Sequence, residues 1–395
     1  MGRSIVLLAG VVLGSVLLAS PVPAPLPDAT RAQLLQQAEL LRRDVQKWPD
    51  RMKSPDLAAD AAVFARAVVW ALNYDQTFSE AHAALLPRLL ERGQRRLEGL
   101  RGAAPSWTTR QGRVARGFFS AIDGSAQPYG MVIPASYDGK RPMRLDVVLH
   151  GSRRPEGIVE ATFLEQFDDT AGAMPPPADY LELHPLGRVE NCYRWAGETD
   201  VFEAIEAACR NYNVDRNRIV LRGMSMGGSG TWHLGLKHPD RFAALGPYCG
   251  YVDTHQFSLT PMPYFPKVGP LPWHQERALR IYDAKDWAAN AGMVPVVAAM
   301  GEKDIFFDAH VLMARAMKRE GLELVNLISP GTGHTVDPVT HREQMKRIAD
   351  HLDRRSERAP QRVHFTTWTL RYSRCHWLEI LGLREHYARA DIDGI

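Results

Sequence analysis

The run Gly223-Met224-Ser225-Met226-Gly227, followed at once by Gly228, sets one hydroxyl among small residues, between the apolar segment RIVLRG and a helical pattern beginning near SGTWHLGL. A strand-to-helix elbow of this kind strains the serine backbone, tolerates only small neighbours, and presents the hydroxyl as a nucleophile toward a carbonyl carbon. The hydroxyl then needs a base, and the base needs an acid to orient it. On a sheet with this elbow the chain order is serine, acid, histidine, each at a strand end. The run VPVVAAM leads into GEKDIFFD and puts Asp304 three residues beyond Gly301, while LELVNLI leads into SPGTGHTVD and puts His334 in a glycine-flanked loop. Asp308 is the competing acid. His310 reads as helical and His255 falls in a proline-rich stretch, so neither follows a strand end in the required order. A glycine-rich packing turn without chemistry is the bland alternative.

A tetrahedral intermediate at Ser225 would need amide donors aimed at its oxyanion. The amide of Met226, at the start of the following helix, is one. The second is expected from the loop after the strand in VVLHGSRRP, at Ser152 with Gly151 as the alternative. His150 then orders that loop. The segment GRVENCYRWAGET holds Arg188, Asn191, Tyr193, Arg194 and Trp195 close to where the nucleophile should emerge, with Trp195 as a candidate pocket wall. No residue pattern calls for a cofactor or a metal.

These groups must be held by a sheet. RLDVVLHG, DYLELHP, RIVLRG, AALGPYCG, VPVVAAMG and LELVNLI are short, apolar and separated by helical segments such as DVFEAIEAACRNY, whose start Asp200 and Glu203 can cap. Strands buried on both faces with helices between them predict an α/β protein with a doubly wound, mostly parallel sheet over residues 112–352. RVARGFFSAI and PYGMVIP, joined through Asp123-Gly124, read as a hairpin ahead of it. Residues 28–105 read as three antiparallel helices. Leu34, Ala38, Leu41, Val45 and Trp48 share a face of the first, and Thr77 with Glu80 can form a capping box for the third. Between Asp253 and Ala284 five prolines, at 261, 263, 266, 270 and 272, break the rhythm among Tyr264, Phe265 and Trp273, which predicts an excursion walling the substrate pocket. Residues 353–395 read as a linker and a three-stranded β tail, which either docks on the catalytic domain or begins a further β-domain.

Residues 1–24 read as a signal peptide, from Arg3, the apolar run Ile5 to Ala19 and the small residues near Ala24, with a permanent membrane anchor as the weaker alternative because the run is short for a bilayer, so the chain is expected to be secreted or periplasmic. No later stretch reads as apolar enough to span a membrane once the signal is removed. Lys and Arg number 48 against 45 Asp and Glu, a net charge of +3 without a basic, aromatic-interleaved stripe, which argues against a nucleic-acid partner. With 45% hydrophobic and 24% charged residues among 395, disordered and multi-span membrane chains are excluded. The four scattered cysteines allow one or two disulfides and no paired zinc motif. Oligomeric state is not legible.

IDGSAQPYGMVIP, DVVLHG, AGETDVFEAI, YNVDRNRIVLRGMSMGGSGTW, HPDRFAALGPYCG and GEKD together resemble the α/β-hydrolases of the prolyl-oligopeptidase-like, predicted secreted peptidase group, which are also similar to feruloyl-esterase and polyhydroxybutyrate-depolymerase-like enzymes. The resemblance runs from about residue 115 to 350. It implies an α/β-hydrolase fold, a triad at Ser225, Asp304 and His334, and a small ester or peptide substrate that acylates Ser225. Two departures stand against proline-specific peptidase activity. The N-terminal region is helical where prolyl oligopeptidases carry a β-propeller, and the loop after His150-Gly151 is SRRP where theirs is glycine-rich. A non-catalytic binding protein and an acyltransferase on the same scaffold are the competing functions.

Overall fold

The computed structural model describes residues 23–102, 105–152, 157–167, 178–188, 190–262, 265–354 and 360–395. The signal-peptide expectation therefore lies outside the described residues, apart from Pro23 and Ala24.

Three helices come first: α1 (Asp28–Lys47), α2 (Pro55–Tyr74) and α3 (Glu80–Gly99). The α1 stripe buries Leu34, Ala38, Leu41 and Val45, as its spacing predicts. The cap of α3 is not Thr77. Ser79 takes that place and accepts from the His82 amide at 3.2 Å. Buried Phe78 is held extended by paired backbone bonds to Ala24, so the helix cannot start before it. By length and composition α2 is apolar enough to cross a membrane, which the sequence reading did not anticipate. Here it is a core helix. Its Asp60, wholly buried, accepts from Arg116 Nε at 2.9 Å, the Gly117 amide at 2.8 Å and Trp107 Nε1 at 2.8 Å, which pins α2 to the first strand.

The sheet is built from β1 (Gly112–Phe119), β2 (Ala126–Ile133), β3 (Met143–Leu149), β4 (Tyr180–Pro185), β5 (Val214–Met224), β6 (Ala244–Tyr248), β7 (Val297–Gly301) and β8 (Val325–Ser329). Their spatial order is β1-β2-β4-β3-β5-β6-β7-β8. The hairpin β1/β2 and the pair β2/β4 are antiparallel, and every pairing from β4 through β3 to β8 is parallel. Between the strands lie α4 (Val159–Gln166), α5 (Ala196–Asn211), α6 (Met226–Lys237), α7 (Thr254–Leu259), α8 (Trp273–Leu279), α9 (Phe307–Arg319) and α10 (Pro338–Arg354). The proline-rich excursion thus contains two short helices, α7 and α8. The α5 helix starts at Ala196, earlier than a cap at Asp200 allows, and Asp200 instead accepts from the Gly187 amide at 2.9 Å.

The tail forms two separate pairs, β9 (Val363–Thr367) with β12 (Ala390–Gly394), and β10 (Arg374–Cys375) with β11 (Leu378–Glu379), in place of one three-stranded sheet. It docks on the main domain. Asn290 bridges the Leu236 and Thr366 carbonyls at 2.8 and 2.9 Å, and Trp368 and Tyr372 join the main core. All four cysteines are free thiols, so the disulfides that their number allows are not formed.

Candidate active site

The carboxyl ends of the parallel strands converge. Past β3 lie His150, Gly151 and Ser152; past β5, Ser225; past β6, Cys249; past β7, Asp304; past β8, the loop carrying His334. This is where open α/β sheets place their ligands.

Ser225 has φ 58° and ψ −117° and opens directly into α6. Its neighbours are small for a measurable reason: a Cβ on Gly227 would lie 2.0 Å from the Leu149 carbonyl oxygen, and one on Gly228 2.1 Å from that of Tyr248. The amide of Met226, in the first turn of α6, has no intrahelical acceptor. A Cβ on Gly151 would stand 3.4 Å from the Ser225 Cβ, so the β3 loop runs alongside the nucleophile. Ser152 shares a cavity with Ser225 and Met226, and its hydroxyl donates to Glu190 at 2.7 Å. His150 sets its ring nitrogens 2.9 Å from the Leu186 and Gly151 carbonyls, which ties the loop down.

His334 Nδ1 lies 3.0 and 3.1 Å from the two carboxylate oxygens of buried Asp304. Burial works against the Asp304 charge, yet the contacts from His334, the Phe306 amide and Cys249 outweigh it and hold the carboxyl below its usual range. Asp308 is exposed in the first turn of α9 and makes no such contact. His310 is buried in α9 and His255 pairs with Glu276, so the alternatives are engaged elsewhere.

The cavity at Ser225 measures about 190 Å³. Its far wall is aromatic: Phe257 stacks on Tyr251 at 4.1 Å, meets Phe265 edge-on at 4.3 Å and leans on Phe306 at 5.3 Å, and Phe306 abuts the His334 ring at 5.0 Å. Of the sequence-predicted substrate residues that are described, the structure brings Phe265 to this cavity. Trp195 is 59% exposed and packs on Tyr282, and Trp273 is 72% exposed against Arg277; neither lines the cavity. Tyr264 lies outside the described residues. From the loop before α5 the cavity takes Glu190 and Cys192, while Arg194 is buried beneath it, donating to Tyr251 Oη at 2.8 Å. Sequence reasoning missed Tyr251, Phe257, Met262, Phe306 and the two cysteines. Cys249 and Phe306 carried a usable signal, since both follow strand ends in the same way as Asp304. A larger cavity, about 280 Å³ between α1, α2 and the β1–β2 turn, holds none of the candidate catalytic groups.

Cys192, Ser225 and Cys249 all line the cavity with positive φ, at 54°, 58° and 48°. Strain of this kind gathers at functional sites because the surrounding structure must enforce it.

The strand order and the strained strand-to-helix elbow are those of the α/β-hydrolase fold. Within that fold, residues 193–358, the span holding Ser225, Asp304 and His334, match the prolyl oligopeptidase family. No curated protein sequence matches the chain. Among solved structures it is similar to a ferulic acid esterase (18% identity, 61% of this chain and 98% of that one, TM-score 0.45). It is also similar to the fluorophosphonate-binding serine hydrolase F of Staphylococcus aureus (15%, 61% and 98%, TM-score 0.45). A third is the acylaminoacyl peptidase of Pyrococcus horikoshii (18%, 62% and 41%, TM-score 0.45), so the chain spans about two fifths of that peptidase's length.

Proposed function

We propose that the chain is an exported hydrolase that cleaves a small ester or peptide through an acyl-enzyme on Ser225. His334 Nε2 takes the Ser225 proton as Oγ attacks the carbonyl carbon, and Asp304 keeps the His334 proton on Nδ1, the tautomer that leaves Nε2 free to accept. The Met226 amide and that of Ser152, or of Gly151, receive the oxyanion. The proton on Nε2 then passes to the leaving group, and water, activated by the same histidine, releases the acyl group. The aromatic cavity of about 190 Å³ supports an apolar, ring-bearing acyl group.

The observation that carries this reading is the Asp304–His334 contact at 3.0 Å, at the strand ends that also deliver the Ser225 elbow. Its test is the purified chain against p-nitrophenyl esters, feruloyl esters and peptide amides, together with a fluorophosphonate probe. Probe adducts mapping to Ser225, with turnover of at least one ester or amide, are expected. Labelling elsewhere or turnover of none would end the proposal.

A further inference from the structure

Cys249 is not explained by the hydrolytic cycle. It is buried, yet it lines the cavity, and its Sγ, a carboxylate oxygen of Asp304 and a ring nitrogen of His334 all lie within 4.8 Å of one another. We propose that Cys249, Asp304 and His334 form a binding site for a thiophilic divalent cation, Zn²⁺ foremost, and that filling it switches the enzyme off. The inference rests on the proposed role of His334 as base.

The donors are held in place before any ion arrives. Cys249 sits at φ 48° with its amide donating to the Ala299 carbonyl at 3.1 Å, and Asp304 is fixed by the Phe306 amide at 2.9 Å. Tetrahedral zinc, with bonds of about 2.3 Å to sulfur and about 2.0 to 2.2 Å to nitrogen and oxygen, sets neighbouring donors roughly 3.3 to 3.6 Å apart. Asp304 and His334 are already closer than that, and side-chain rotation of Cys249 covers the remaining ångström or so. One thiolate, one imidazole and one carboxylate suit Zn²⁺ and its borderline neighbours and not Mg²⁺ or Ca²⁺, which take oxygen. Three protein donors leave a fourth position for water on the cavity side. Access exists at both ends, through the cavity to Cys249 and from solvent to exposed His334.

The chemistry balances without an oxidant. The cation displaces the thiol proton to solvent and forms the sulfur bond. Without it, burial and the Asp304 contact favour the neutral thiol. His334 offers the Nδ1 lone pair, so its single proton moves to Nε2. That tautomer cannot accept from Ser225, and Asp304 no longer receives a proton from Nδ1. Inhibition thus follows from the tautomer.

The test uses the full chain freed of metal with EDTA. Added Zn²⁺ should slow fluorophosphonate labelling of Ser225 at least about tenfold, with EDTA restoring it, and should protect Cys249 from iodoacetamide as read by peptide mass mapping. Co²⁺ should produce a thiolate-to-metal absorption band that Cys249→Ser and Cys249→Ala lose and Cys192→Ser keeps. Each variant is compared with itself with and without Zn²⁺, and the two Cys249 variants should lose most of the slowing. An unslowed parent, equal slowing in Cys249→Ala, a band that survives it, or unprotected Cys249 in the parent overturns the site. The last measurement needs no variant to fold. Absence of Ser225 labelling in the metal-free chain would instead overturn the hydrolase reading, while the Co²⁺ band still reports on the cation site.

Discussion

Gly227 and Leu149 approach so closely that a Cβ on the glycine would stand 2.0 Å from the leucine's carbonyl oxygen. The contact joins the start of α6 to the end of β3, and so locks the nucleophile elbow to the strand whose next three residues are His150, Gly151 and Ser152. Backbone cannot swing aside as a side chain can. Gly227→Ala is therefore expected to destabilise the fold by about 1 to 3 kcal/mol or more, as overpacking does. Gly269, where an added Cβ meets nothing within 4 Å, is the control. Urea melts should separate the two; equal midpoints would mean the elbow is looser than drawn.

Ser225→Ala and Asp304→Asn should keep the fold and lose about 10⁴-fold or more in kcat, whereas Asp308→Asn should stay near the parent. The reason is positional. Asp304 is buried against His334, and Asp308 points outward from the first turn of α9. Loss in Asp308→Asn with full activity in Asp304→Asn would reverse the assignment.

Substrate choice should depend on Phe265 and not on Trp273. Phe265 packs edge-on against Phe257 in the cavity wall, while Trp273 is 72% exposed. Phe265→Ala should change the ratio of kcat/KM for two acyl sizes by about 1 to 3 kcal/mol, with Trp273→Ala leaving that ratio alone. A shift in Trp273→Ala of the same size would place α8 over the cleft.

What the chain made legible, and what it did not, follows from the range of each signal. Every expected strand from RLDVVLHG to LELVNLI forms, because a short apolar, β-branched run leaves its mark in its own residues, whether it is buried throughout as in β6 and β7 or half-buried at the sheet edge as in β8. The elbow was legible for the same reason: its glycines answer contacts that a single backbone geometry demands. The cap of α3 was not, since Thr77 and Ser79 offer equivalent hydroxyls and the choice is made by Phe78 pairing with distant Ala24. Trp195 and Trp273 are aromatics in connections expected beside the elbow, yet the cavity wall is drawn from Tyr251 and Phe257 early in the β6–β7 connection and from Phe306 just past β7. No local pattern records which connections fold inward.

His310, set aside as a base on chain order, yields a prediction about acid stability. Its ring is wholly enclosed in α9, with Nδ1 2.9 Å from Asn326 Oδ1, Nε2 without a partner, and an edge-on contact to Trp232. Burial depresses its pKa from the ordinary 6.5 to about 4, against the opposing pull of Asn326 and the Asp304 charge. In the unfolded chain the group protonates as the pH falls through 6.5, while in the folded chain it stays neutral until about 4. The unfolded state thus binds the extra proton first, and the stability this group lends above pH 6.5 is lost across that window, by up to about 3 kcal/mol. His310→Gln keeps a donor for Asn326 and cannot titrate. Unfolding free energies measured in urea at half-unit steps from pH 7 to 4 should fall less steeply in His310→Gln than in the parent, the parent's stability relative to the variant declining below pH 6.5. Parallel curves would mean that the ring reaches solvent and titrates normally in the folded chain.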